Sequence, residues 1–223
     1  MQFVEYPDVE MMMIDLANII AGELTAALDH EETVTLAVPG GTTPGPIFDV
    51  LCAADLDWSR VNVMLTDERW VPETSDRSNT RLLKNRLLTG RASAARLLPL
   101  FAEGGSAEDE LPALSAGIAP HLPLTVCLLG MGADMHTASI FPGADRLQEA
   151  LTGEEILYPM RAPGAPEPRI TLSAHVLNGA INRHIVITGA EKRAALEAAQ
   201  KLDPTDAPVA AILQGATVHW AEK

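Results

Sequence analysis

Four short segments of this 223-residue chain carry the residue types that chemistry needs, and each one follows an apolar run. Gly130-Met131-Gly132-Ala133-Asp134-Met135-His136-Thr137-Ala138-Ser139 holds a histidine two residues after an aspartate. Imidazole is the side chain best matched to proton transfer near neutral pH, so His136 is the candidate general base. Its expected setting is a loop at a helix start. His30, His121, His175, His184 and His219 lack that combination and are expected to be structural. The segment superficially resembles a dinucleotide fingerprint. Met135 occupies the third glycine position and no early strand precedes it, so a nicotinamide cofactor is not expected.

Pro39-Gly40-Gly41-Thr42-Thr43-Pro44 joins a strand to a helix start, where free N–H groups and the helix dipole converge on an anion. Gly40, Gly41, Thr42 and Thr43 are therefore candidate phosphate-binding residues, the alternative being a tight turn that serves backbone geometry alone. No Gly-Lys-Ser/Thr occurs, which excludes a P-loop. Gly41 to Gly45 mimics a nucleophile elbow with Thr43 in the serine position, but Pro44 lacks the N–H such an elbow uses for its oxyanion hole. Asp67-Glu68-Arg69 follows another strand directly. It sets acid, acid and base at the sheet edge, with ion pairing on a solvated surface as the alternative. Lys192 is expected in the first turn of a helix, where a cation opposes the dipole, which suggests an anionic partner for it, the alternative being a solvated lysine.

Elements of two periodicities must position these segments. Apolar residues from Val9 to Leu28 recur at three- and four-residue steps and predict an amphipathic helix. Helices are also expected after Pro44, capped by Thr42 or Thr43, over Ser78 to Leu88, after the Phe101 to Ser106 loop, and over Glu191 to Gln200. Strands are expected at Thr33 to Val38, Val61 to Thr66, Leu124 to Leu129, Ile170 to Leu172, His184 to Thr188 and near Ala216 to Trp220. Pro163, Pro166 and Pro168 make Arg161 to Arg169 an irregular loop. Strand then helix with short connections predicts an α/β fold, with a mainly parallel sheet covered by helices on both faces. Ligands in such sheets bind beyond the carboxyl ends of the strands, where all four segments fall.

The length fits a single domain over residues 1–223, and the composition, 47% hydrophobic and 21% charged, is that of a globular chain. A net charge of −14 repels nucleic acid and anionic lipid surfaces, so neither is an expected partner. Cys52 and Cys127, in apolar surroundings and without CxxC spacing, are expected to be buried free thiols in a reducing compartment. Acidic residues near the N-terminus argue against a secretion signal. No apolar run approaching the roughly 20 residues of a membrane span is expected either, so the protein is read as soluble and cytoplasmic.

PGGTTP, TDERWVP followed by SN, and LGMGADMHTASIFPG, with RITLS and ITGAEKR further on, together resemble the 6-phosphogluconolactonase family over most of the chain. The resemblance implies a Rossmann-like three-layer sandwich and hydrolysis of 6-phospho-D-glucono-1,5-lactone without cofactor or metal; a monomer or small homo-oligomer is expected. It also implies that His136 activates water, that Asp67 and Arg69 line the lactone end, and that Gly40 to Thr43 with Arg169 and Lys192 hold the phosphate. The chain departs from the family pattern at Pro39, usually Ser, and at Met135, usually Gly. A glucosamine-6-phosphate deaminase or isomerase on the same scaffold, or a non-catalytic sugar-phosphate-binding domain, are the alternatives.

Overall fold

In the computed structural model, which describes all 223 residues from Met1 to Lys223, the chain opens with an edge strand, β1 (Gln2–Glu5), then α1 (Val9–Leu28), β2 (Val34–Val38), α2 (Gly45–Leu51) and β3 (Val61–Leu65). There follow β4 (Asp67–Arg69), α3 (Asn79–Arg86), β5 (Arg96–Leu97), α4 (Ala107–Ile118) and β6 (Val126–Gly130). The remainder is α5 (Leu147–Thr152), β7 (Leu157–Met160), β8 (Arg169–Leu172), α6 (Ala174–Asn178), β9 (Asn182–Thr188), α7 (Gly189–Ala199) and β10 (Thr217–Ala221). Seven strands form one sheet in the order β1-β10-β9-β6-β2-β3-β5, parallel at every pairing. The central strands β2 and β3 are buried at every position. Both faces of the sheet are therefore covered, as β-branched and aliphatic runs without alternation require.

The order of the strands locates a crevice. From β2 the chain moves to β3 and β5 on one side, and from β6 to β9 and β10 on the other. The segments leaving β2 and β6 diverge at this switch point, and the gap between them opens at the carboxyl ends of the strands. A second, antiparallel sheet, β4-β8-β7, stands beside it.

Asp8 caps α1 by accepting the Met11 N–H at 2.7 Å, and Met12, Leu16, Ile20 and Leu24 bury one face against β10 and α2. At 20 residues α1 is long and apolar enough to cross a membrane by length and composition. This corrects the expectation of no such run. The polar residues Glu10, Asp15 and Glu23 had masked it. Two other expectations also change. The helix after the glycine loop starts at Gly45 with Pro44 as its N-cap and no side-chain cap, so neither Thr42 nor Thr43 serves there. Cys127 is fully buried, its thiol pushed up to about 12 by burial, but Cys52 is only partly buried and donates to the Asp49 carbonyl at 3.3 Å.

From Tyr6 to Glu23 of α1 runs a partly buried polar chain in which Tyr6 Oη lies 2.9 Å from His219 Nδ1. His219 Nε2 lies 3.0 Å from His184 Nδ1, and His184 Nε2 2.9 Å from Glu23 Oε2. A hydrogen on Nε2 of each imidazole gives all three contacts one donor and one acceptor. Burial, with His184 alongside, pushes the His219 pKa down from 6.5 to about 4. Between those values the unfolded chain binds more protons than the folded one, so stability is full above about pH 6.5 and falls as pH drops toward 4. Urea titrations at pH 7 and pH 5 are expected to differ by roughly 2 kcal/mol from this group. The difference should shrink in His219→Gln, and an unchanged difference in that variant would remove His219 as its source.

Candidate active site

Asp67, Glu68 and Arg69, expected at the sheet edge directly after a strand, themselves form a strand, β4. Three charged residues carry no β preference, and it is pairing with β8 that holds them extended, Asp67 opposite Thr171, Glu68 opposite Ile170 and Arg69 opposite Arg169. The pleat then separates the three side chains. Asp67 and Arg69 face the crevice, while Glu68, fully buried, turns to the other side. The solvated-surface alternative is therefore excluded for this segment.

Two guanidiniums directly opposite on neighbouring strands repel, and that arrangement costs stability unless an anion answers it. Asp67 answers in part. Its Oδ2 accepts the Ser139 hydroxyl at 2.6 Å and lies 4.0 Å from Arg169 NH1, and its Oδ1 accepts from Thr66 Oγ1 at 3.2 Å. Burial pushes the Arg169 guanidinium pKa below its usual value, with Asp67 opposing that shift and Arg69 adding to it. Arg69 NH1 donates to the Arg77 carbonyl at 2.8 Å. The Nε–H groups of Arg69 and Arg169 are buried with no protein acceptor. Buried donors are rarely left unpaired, so both point to a ligand or solvent oxygen.

His136 lies in irregular backbone between two turns, not at a helix start. Met135 and Ala138 adopt left-handed φ of 66° and 48°, which breaks any helix there. Met135 thus adopts the left-handed conformation despite its Cβ, at a strain of roughly 1–2 kcal/mol that two hydrogen bonds offset, Met135 N–H to Gly132 O and Val209 N–H to Met135 O, both 3.0 Å. Asp134 Oδ1 lies 2.5 Å from His136 Nδ1 and 3.2 Å from its N–H. The His136 hydrogen bond holds the Asp134 carboxyl below the usual carboxylate range. With Nδ1 engaged, Nε2 is the nitrogen left to take a proton. Phe141 packs on the imidazole at 4.3 Å between centroids, and the Arg169 guanidinium lies 5.6 Å from the same phenyl ring, so one aromatic side chain orders both.

All nine residues expected at the site, Gly40, Gly41, Thr42, Thr43, Asp67, Arg69, His136, Arg169 and Lys192, line a single cavity of about 290 Å³. Lys192 sits in the first turn of α7, as expected, and has no ion-pair partner in the protein. Arg169 makes its polar contacts with Ser139 and Asp67. Asn79 and Ser139 escaped the sequence reading. Asn79 lines the cavity, donates to the Asp67 carbonyl at 3.1 Å, and lies so close to Gly40 that a Cβ there would fall 2.1 Å from its Cγ. The only signal either gave was its place inside SN and TASIF. No group of three or more His, Cys, Asp or Glu side chains is placed to hold a metal ion. The cavity therefore offers a base, fixed cations, and free N–H groups at a strand-to-helix turn, a set suited to a small anionic ester or sugar phosphate.

Comparison with known proteins bears on the family and the fold. The family model described as "Glucosamine-6-phosphate isomerases/6-phosphogluconolactonase" matches residues 7–220. A 6-phosphogluconolactonase of Mesorhizobium japonicum is 41% identical, over 97% of this chain and 93% of its own. One from Rhizobium meliloti is 41% identical, over 92% of each. The crystal structure of a 6-phosphogluconolactonase from Shewanella baltica superposes with a TM-score of 0.96 at 32% identity, covering 99% of this chain and 97% of that one.

Proposed function

Because this chain belongs to the family of glucosamine-6-phosphate isomerases and 6-phosphogluconolactonases, we propose that it is a 6-phosphogluconolactonase, hydrolysing 6-phospho-D-glucono-1,5-lactone to 6-phosphogluconate. The relatives matched over nearly its whole length support the activity. The observation that carries the mechanism is His136, with Nδ1 held by Asp134, facing the same cavity as Arg69, Arg169 and Lys192.

In this reading a water hydrogen-bonded to His136 Nε2 attacks the lactone carbonyl. The O–C bond forms as the water proton passes to the imidazole, and the carbonyl electrons move to oxygen. Asp134 stabilises the imidazolium. Negative charge on the tetrahedral oxygen is met by the Arg69 guanidinium or by a loop N–H. Collapse breaks the ring C–O bond, and the departing ring oxygen takes the proton back from His136. The product carboxylic acid then ionises and releases one proton to solvent. A δ-lactone is an activated ester, so one base worth about 10² to 10⁴ in rate, with positioning, suffices. Asp67 and Arg69 line the lactone end. Lys192, Arg169 and the Gly40 to Thr43 segment hold the phosphate. The phosphate binding energy is then spent on orienting the carbonyl. Pro39 removes one N–H from this cradle, so Gly40, Gly41 and the two threonines carry more of it.

The global charge of −14 does not conflict with a phosphorylated substrate. Over a screening length of about 8 Å the cavity cations, not the distant acidic surface, set the potential a small anion meets. A buried free thiol at Cys127 fits a reducing compartment, and we place the enzyme in the cytoplasm.

The test is proton release in a pH-stat with lactone generated in place. Acceleration above spontaneous opening is expected for the phosphorylated lactone and a much weaker effect for unphosphorylated gluconolactone. Ammonia released from glucosamine-6-phosphate, with no lactone opening, would assign the site to the deaminase branch. Lactone binding without turnover would make it a sensor.

A further inference from the structure

Glu68 is a fully buried carboxylate that forms no ion pair. Five donors surround it instead. Oε1 accepts the N–H groups of Arg69 and Asn79, each at 2.8 Å. Oε2 accepts the Thr80 N–H and the Thr80 hydroxyl, each at 2.7 Å, and the Ser78 hydroxyl at 3.3 Å. The carboxyl group is thus held by the N-cap and first turn of α3 and by the N–H of the next residue in β4. An unpaired buried charge survives only when hydrogen bonds replace its whole hydration shell, and here they do.

Those five bonds join parts that have no covalent reason to be in register. Arg69 belongs to β4 and Asn79 to α3, ten residues further along the chain, and both line the cavity. Asn79 reaches back to the Asp67 carbonyl and presses on Gly40 of the glycine segment. We propose that Glu68 is a positioning residue: it never touches substrate, but sets Arg69 and Asn79 at fixed places in the cavity and, through Asn79, fixes the glycine segment. The alternation of the strand makes this possible. Asp67 and Arg69 face the substrate, and the residue between them is anchored behind the wall. This rests on the lactonase reading only for the choice of substrate, since the clamp is a property of the folded chain.

Glu68→Gln keeps the shape but turns one acceptor into a donor facing N–H groups. Expected are faster hydrogen exchange at the Asn79 and Thr80 amides and a fall of about 10² in kcat/KM per folded molecule, carried more by kcat than by KM because Arg69 faces the reacting carbonyl. A merely structural role would lower the melting temperature and leave kcat and KM of the folded fraction unchanged, and that result overturns the proposal. Should Glu68→Gln not fold, Thr80→Val removes one hydroxyl donor and leaves the carboxylate in place. A several-fold loss of kcat is then expected, and unchanged kcat overturns the proposal. If the parent enzyme itself opens no lactone, the lactonase reading fails separately. The clamp is then judged by 6-phosphogluconate affinity and amide exchange in the same variants, where unchanged values overturn it.

Discussion

Replacing His136 by glutamine is expected to lower kcat for lactone opening by about 10² to 10⁴, the usual worth of a positioned general base. The fold should hardly notice. The His136 side chain is 30% exposed and its polar partner Asp134 is 54% exposed, so neither is left as a buried unpaired group. KM should change little, because the phosphate is held by Lys192, Arg169 and the glycine segment in the proposed arrangement. Asp134→Asn is expected to fall between parent and His136→Gln, since the base remains but loses the anion that orients it and stabilises its protonated form. The measurement is initial proton release, corrected at every substrate concentration for spontaneous opening. Spontaneous opening sets a floor below which no variant can fall. A His136→Gln enzyme that keeps near-parental kcat would take His136 out of the mechanism and leave the cations as the whole catalyst.

Much of this arrangement was legible because its signals are local. Glycines and polar residues directly after apolar runs mark the carboxyl ends of strands, and in a doubly covered parallel sheet those ends meet. That reasoning brought His136, Lys192 and the Gly40 to Thr43 segment to one place. What the sequence hid depends on partners far along the chain. β4 has no strand former and is extended only because β8, about a hundred residues later, pairs with it. The facing of Arg69 by Arg169 is likewise a fact of register, and so is the burial of Glu68 between two cavity-lining neighbours. The irregular backbone at His136 was misread as a helix start for a different reason. Its two left-handed residues are Met135 and Ala138, neither of which advertises a positive φ, and the hydrogen bond that helps hold Met135 comes from Val209.

Gly132→Ala separates the presence of the base from its placement. A Cβ at this position would fall 2.3 Å from His136 Nδ1 and 2.4 Å from Asp134 Oδ1, on the two atoms whose contact orients the imidazole. Gly132 is not among the glycines with left-handed φ, so alanine meets no backbone strain there. The obstructing atoms are the ends of partly exposed side chains, which can swing aside into solvent. Stability is therefore expected to stay within about 1 kcal/mol, with the smaller entropy of the unfolded alanine chain offsetting the lost contact. Activity is not so protected. Swinging His136 aside breaks its bond to Asp134, lifts it from Phe141 and moves Nε2 by an ångström or more, a displacement that typically costs about 10² in rate. The variant should thus melt close to the parent, bind 6-phosphogluconate at the phosphate end with little change, and lose kcat by about 10² or more. Both His136→Gln and Gly132→Ala should then converge on the same residual rate, because each leaves the cations and the phosphate cradle and removes only the oriented base. A Gly132→Ala enzyme with parental kcat would mean that the Asp134 contact is incidental and that the imidazole acts from more than one orientation.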